Sequence, residues 1–212
     1  MGNETSGVTS PIESRSPWIS MWTRPRATIQ SIIDSDPKRS VLLLASLIGI
    51  SQALDKASLK NAGDDLPFPL ILVTSFAGII SGVIGLYIFG FLIKHASAWL
   101  GGKADGEKSR AAIAWSNVPI AWGLLLWIPQ LALFGNELFS ATTPRMDSHP
   151  FAVLGFGVID ITIAVWALVL LCKAVGQVNG FSAWRGLGSC LIAAALIIMP
   201  ILAVAFAISA FK

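Results

Sequence analysis

The sequence predicts an all-α polytopic membrane protein, a bundle of five transmembrane helices preceded by a short amphipathic helix at the membrane interface. Three observations carry that prediction. Hydrophobic residues make up 54% of the chain and charged residues 13%, about half the roughly 25% charge of an average soluble domain. A chain of 212 residues could build a soluble core but could not cover it with so few charges. Mean hydropathy is +0.71, and the polar residues are clustered, which leaves long stretches for which lipid is the natural solvent. Lysine and arginine are also divided unequally between the two sides of those stretches.

Residues 1–17 are rich in Ser, Thr, Gly, Pro and charge and read as a disordered cytoplasmic tail. The first 38 residues contain no apolar run of signal-peptide type, so the first apolar helix is expected to act as its own insertion signal. Met1 to Ser6 formally fits the N-myristoylation pattern, a short pattern that often matches by chance. In residues 18–34, Trp18 and Trp22 are spaced i, i+4, Pro25 stands where a helix can begin, and Ile29, Ile32 and Ile33 share one face. This segment reads as an interfacial helix with Trp18 and Trp22 at headgroup depth and Arg24 and Arg26 towards lipid phosphates. Five apolar segments follow, at about 39–55, 68–93, 111–135, 151–172 and 187–211. The last four are long enough to cross a core of roughly 30 Å at about 1.5 Å per residue. The first is shorter and is bounded by Arg39 at one end and by Asp55 and Lys56 at the other; long basic side chains at its ends can snorkel.

With a cytoplasmic N-terminus, the inside segments carry Arg15, Arg24, Arg26, Lys38, Arg39, Lys94, Lys103, Lys108, Arg110, Lys173 and Arg185. The outside segments carry Lys56, Lys60, Arg145 and Lys212. That asymmetry predicts a multi-pass protein with its N-terminus in and its C-terminus out. Cys172 and Cys190 then fall on the same cytoplasmic side and read as buried thiols rather than a disulfide or a metal site.

Catalytic signatures are absent: there is no HExxH, Walker A, GxSxG, CxxC or GxGxxG. His95 and His149 stand at membrane ends. No cofactor is implied. The net charge of +3, without a basic run interleaved with aromatics outside the membrane flanks, implies no nucleic-acid partner. Gly78, Gly82 and Gly85 form a small-residue stripe on helix two, a packing face that lets backbones approach closely. Asp160 is the one acidic residue deep in an apolar segment. An intramembrane carboxylate is costly and so marks either a function or an interhelical hydrogen bond. Depth along the helices places Ser51, Gln52, Ser81 and Trp122 at a similar height, so these are its expected partners. A role in carrying a proton or ion requires a second carboxylate or a base, which helices two, three and five do not supply. Structural glue is therefore the expected role, with Gln52 and Asn117 as further membrane-embedded polar residues. Pro119 and Pro129 should bend helix three and Pro200 helix five, with Ser116 or Asn117 satisfying freed backbone groups.

Five short runs, in order, make the chain resemble the Ypt/Rab-interacting (Yip) domain family in its bacterial form. They are Trp22-Thr23-Arg24-Pro25-Arg26, Asn61-Ala62-Gly63-Asp64, Leu100-Gly101-Gly102, Ala114-Trp115-Ser116-Asn117-Val118-Pro119 and Gln177-Val178-Asn179-Gly180-Phe181-Ser182. The resemblance implies five spans and a cytoplasmic N-terminus. Eukaryotic members engage small GTPases of the Rab type, but their Asp-Leu-x-Gly-Pro motif is only partly echoed by Asp65-Leu66-Pro67-Phe68-Pro69, so small-GTPase binding is not carried over. The expected function is that of a non-enzymatic scaffold or partner of other membrane components in the bacterial inner membrane. Its partners would be the bilayer and other membrane proteins or a second copy. The alternative is a small transporter, channel or lipid scramblase with a polar path near Asp160.

Overall fold

A computed structural model describes residues 16–210. The N-terminal tail with its myristoylation pattern, Arg15 and Lys212 lie outside the described residues. Eleven α-helices occur among the described residues. They are α1 (Pro17–Thr23), α2 (Pro25–Ser35), α3 (Val41–Leu59), α4 (Phe68–Phe76), α5 (Gly78–Trp99), α6 (Gly106–Ser116), α7 (Val118–Gly123), α8 (Trp127–Phe134), α9 (Pro144–Ser148), α10 (Pro150–Asn179) and α11 (Ala183–Ala210). They compose five segments long and apolar enough to cross a membrane: α3, α4 with α5, α6 through α8 and its following turn, α10, and α11.

Pro129 is the third residue of α8, directly after a 3-10 turn at Leu124–Leu126, and Pro119 is the second residue of α7, so the regular helix of the third span is interrupted beside each proline. Both lie in the first turn of α8 and α7 respectively, where a missing N–H removes no intrahelical bond. The third span breaks at Asn117, whose N–H donates to Ala114 in a tightened turn. The Ile113 carbonyl is thereby released, and it accepts from both Ser116 Oγ and Asn117 Nδ2, at 2.7 Å each. Pro200 lies inside α11. The second span also breaks, at Ala77, next to the point where Gly78 meets the backbone of Gly49.

The first span continues past Asp55 and Lys56 to Leu59. Charged residues of good helix propensity do not end a helix; Asn61, in the left-handed region at φ 52°, stops this one. The first and second spans form the closest pair. A Cβ on Gly82 would strike the Ala45 carbonyl and lie 2.7 Å from Gly49 Cα, and one on Gly78 would strike the Gly49 carbonyl. The glycine stripe of helix two is thus packed inside the molecule against Ala45, Gly49 and Ala53. Gly85 does not belong to that contact: nothing among the described residues lies within 4 Å of a Cβ placed there.

The segment expected to be one interfacial helix is two, parted at Arg24-Pro25, and both dock on the bundle. Met21 and Ile29 are fully buried and Ile32 nearly so. Trp18 meets the buried Trp115 edge to face at 5.7 Å, and Trp115 Nε1 donates to the Arg39 carbonyl at 3.2 Å. Thr28 Oγ1 lies 3.0 Å from Ser20 Oγ and ties α2 to α1. Gln177 Nε2 donates to Gln30 Oε1 at 3.1 Å and ties α2 to α10. Arg24 and Arg26 remain exposed.

Candidate functional site

α3 carries Ser51, Asp55 and Ser58 at i, i+4 and i+7, which places them on one helix face. Ser58 is half-buried and its hydroxyl donates to the Leu138 carbonyl, fixing the end of α3 against the turn after α8. Across from this face, α8 contributes Trp127 and Gln130 and α10 contributes Asp160. Together they line a cleft of about 510 Å³. Gln130 Nε2 lies 3.5 Å from Asp160 Oδ2, a long and weak hydrogen bond. Trp127 stacks on the buried Phe139, with ring centroids 5.6 Å apart and planes 12° apart, so its orientation is set from behind. The cleft follows the last turns of α3 from Leu59 to Ser51, roughly 12 Å of helix. Among the described residues no lysine or arginine lines it.

The polar residues expected to act together are divided between two places. Asp160 belongs to this cleft. Gln52 and Asn117 line a separate groove of about 330 Å³ together with Gly82, Gly85 and Phe89. Of the partners expected for Asp160, Ser51 shares its cleft, whereas Ser81 Oγ donates to its own helix at Gly78 and Trp122 is 45% exposed outside the cleft. Asp55 and Gln130 are the members that sequence reasoning missed. Asp55 was read as the boundary of the first apolar segment. The signal that would have found it is the polar i, i+4, i+7 repeat, which continues the helix through the charge. The second carboxylate that an ion or proton site requires is therefore present, supplied by the first span.

The runs that carry the family resemblance lie elsewhere and act as joints. Gly102 leaves no room for a side chain because Asn179 Oδ1 occupies that space. Asn179 in turn accepts from the Ala104 N–H at 3.1 Å and donates to the Val175 carbonyl at 2.9 Å. The Asp64 carboxylate accepts from the Ala141 N–H at 3.2 Å, while Gly63 packs on the Phe139 backbone.

Lys38, Arg39, Lys94, Lys103, Lys108, Arg110, Lys173 and Arg185 gather around the helix ends where α1 and α2 dock. There Lys38 pairs with Glu107 at 3.1 Å and Arg110 lies over the Tyr87 ring at 4.7 Å. Cys172 and the buried Cys190 are free thiols near the same end.

Five apolar spans closed by polar joints at their ends, with a carboxylate-lined cleft between them, define a polytopic α-helical membrane protein. The chain belongs to the Yip1 family: the Yip1 domain model matches residues 19–206, from the first docking helix to near the end of the last span. No curated protein and no solved structure matches it.

Proposed function

We propose that this chain is a non-enzymatic scaffold that docks other membrane components. We place it in the bacterial inner membrane, with its N-terminus in the cytoplasm and its C-terminus outside. One observation carries the docking role. From Ala195 to Ser209 every described side chain of α11 is exposed, on all faces of the helix. The most apolar stretch of the first span is 33% buried within the chain, and that of the last span 6%. A span so little engaged by its own bundle offers its whole circumference to a neighbour. Ala203 and Ala207, four residues apart, supply the small-residue spacing at which membrane helices pack closely.

The experiment is affinity purification of the full chain in mild detergent, with co-purifying membrane proteins identified by mass spectrometry. The wild type should retain a defined set that the Ala203→Leu, Ala207→Leu double variant loses while staying folded. An unchanged set on the double variant removes α11 as the docking element.

The carboxylate cleft favours a second reading, passage of a small solute or ion along the polar face of α3. Flux into proteoliposomes that Asp160→Asn abolishes without loss of fold would favour it over the scaffold.

A further inference from the structure

Two carboxylates near one another do not make a site. What marks this cleft is Ser51. It is 7% exposed, it lines the cleft one helical turn from Asp55, and among the described residues its hydroxyl has no hydrogen-bond partner. A serine in a helix ordinarily satisfies itself on the carbonyl one turn back, as Ser46 does on Leu42 and Ser75 on Ile71. Ser51 makes no such bond among the described residues and lines the cleft with its donor and acceptor capacity free. A bound ligand would satisfy it.

The chemistry of the walls says which ligand. Asp55 and Asp160 are acceptors, and no basic side chain among the described residues lines the cleft, so the occupant carries positive charge. A bare metal ion fits poorly. Calcium is held by six to eight oxygens at roughly 2.3–2.6 Å, whereas these oxygens are spread over turns of α3 and across to α10, in a space of about 510 Å³. That volume lies in the range of small organic ligands, roughly 300–1,000 Å³, whose sites are mostly apolar with a few placed polar groups. Ile120, Trp127, Ile161 and Ile163 make up much of the remaining wall. Trp127, held by Phe139, presents an aromatic ring of the kind that attracts an ammonium group.

We propose that the cleft binds an organic cation: an ammonium group held between Asp55 and Asp160, accepting a place beside Ser51, with an apolar body against Trp127 and the isoleucines. A free amphiphilic amine and the headgroup of an aminolipid share this chemistry. The assignment goes beyond the scaffold reading. It shares its cleft with the transport reading but not that claim, since binding without flux leaves it standing.

The test uses the full chain in a neutral detergent, with hexylammonium as the probe and thermal stability and titration calorimetry as the readouts. Hexylammonium should stabilise the protein saturably, and hexanol and hexanoate of the same length should not. Asp55→Asn and Asp160→Asn should each weaken binding roughly tenfold, the loss of one charge-assisted hydrogen bond, and Ser51→Ala by less. Asp160 is exposed, so its variant keeps the fold and the test survives if Asp55→Asn does not express. In nanodiscs of phosphatidylglycerol, added phosphatidylethanolamine that competes with hexylammonium identifies the lipid headgroup as the source. Absence of competition identifies a free amine. Equal binding of hexanol, full saturation by sodium or potassium alone, or unchanged affinity in Asp160→Asn overturns the proposal.

Discussion

Gly82 and Gly85 are one helical turn apart and are predicted to respond to substitution with opposite sign. At Gly82 a side chain meets the backbone of α3, which cannot yield as the end of a flexible side chain can. Gly82→Leu should therefore destabilise the protein by at least the roughly 1–3 kcal/mol typical of overpacked cores. Gly85 faces open space, and Gly85→Ala should stabilise it by about 0.5–1 kcal/mol through lower unfolded-chain entropy and better helix propensity. Thermal melts in one detergent would check both, and a loss of equal size at the two positions would contradict the packing described above. Asp160→Asn should change stability by ~1 kcal/mol or less, since the carboxylate is exposed and its bond to Gln130 is long. That outcome is also the one expected of hydrogen-bonded glue, because Asn keeps a polar partner of the same size, and a larger loss would mean that the charge itself holds the helices. The glycine spacing was legible in the sequence, but the open surroundings of Gly85 were not. Spacing names a stripe, and only the angle at which two helices cross decides where along it they part.

At the scale of elements, the sequence was read well where a residue type acts locally. The interruption of the third span at Asn117-Val118-Pro119 falls on the proline singled out there, with Ser116 and Asn117 bonding to the freed Ile113 carbonyl, whereas the parting of the first segment at Arg24-Pro25 was not foreseen. Charge is a poorer guide, because charged residues end an apolar run without ending a helix. Asp55 ends an apolar run but not a helix, and half of the cleft was lost with it. Trp115 shows how the joints work: its ring receives Trp18 and its N–H reaches Arg39, so one side chain clamps α1 to the base of α3. Trp115→Phe should cost about 1 kcal/mol for the lost hydrogen bond, and Trp115→Ala roughly 3–5 kcal/mol. In the second variant α1 should also become cleavable by protease while the spans stay protected. If α1 stays protected in Trp115→Ala, the clamp lies elsewhere.

For the whole molecule, the lysines and arginines around the docked helices predict which end faces the cytoplasm. Reporter fusions after Lys103 and Arg185 should report cytoplasm, and those after Asp147 and Lys212 the opposite side. A C-terminal fusion that reports cytoplasm would leave an even number of crossings and sink the five-span topology. The fold class was legible from composition alone because lipid selects for long uncharged helices, whatever their function. Which polar residues share a cleft was not legible, because Asp55, Gln130 and Asp160 come from three spans and meet only once the bundle has closed.

The docking of α1 and α2 also fixes an order of events. Both helices precede the first span, yet α1 rests on α2 and α7, and α2, with the buried Ile29 and Ile32, rests on α6 and on α10, the last of which belongs to the fourth of the five spans. At about 5–20 residues per second, these side chains wait on the order of ten seconds or more before the surface that covers them exists. Until then the amphipathic leader has only the bilayer surface on which to hide its apolar face. A nascent chain truncated after α3 should therefore hold its first two helices on the membrane surface and release them to the bundle only when translation passes Asn179.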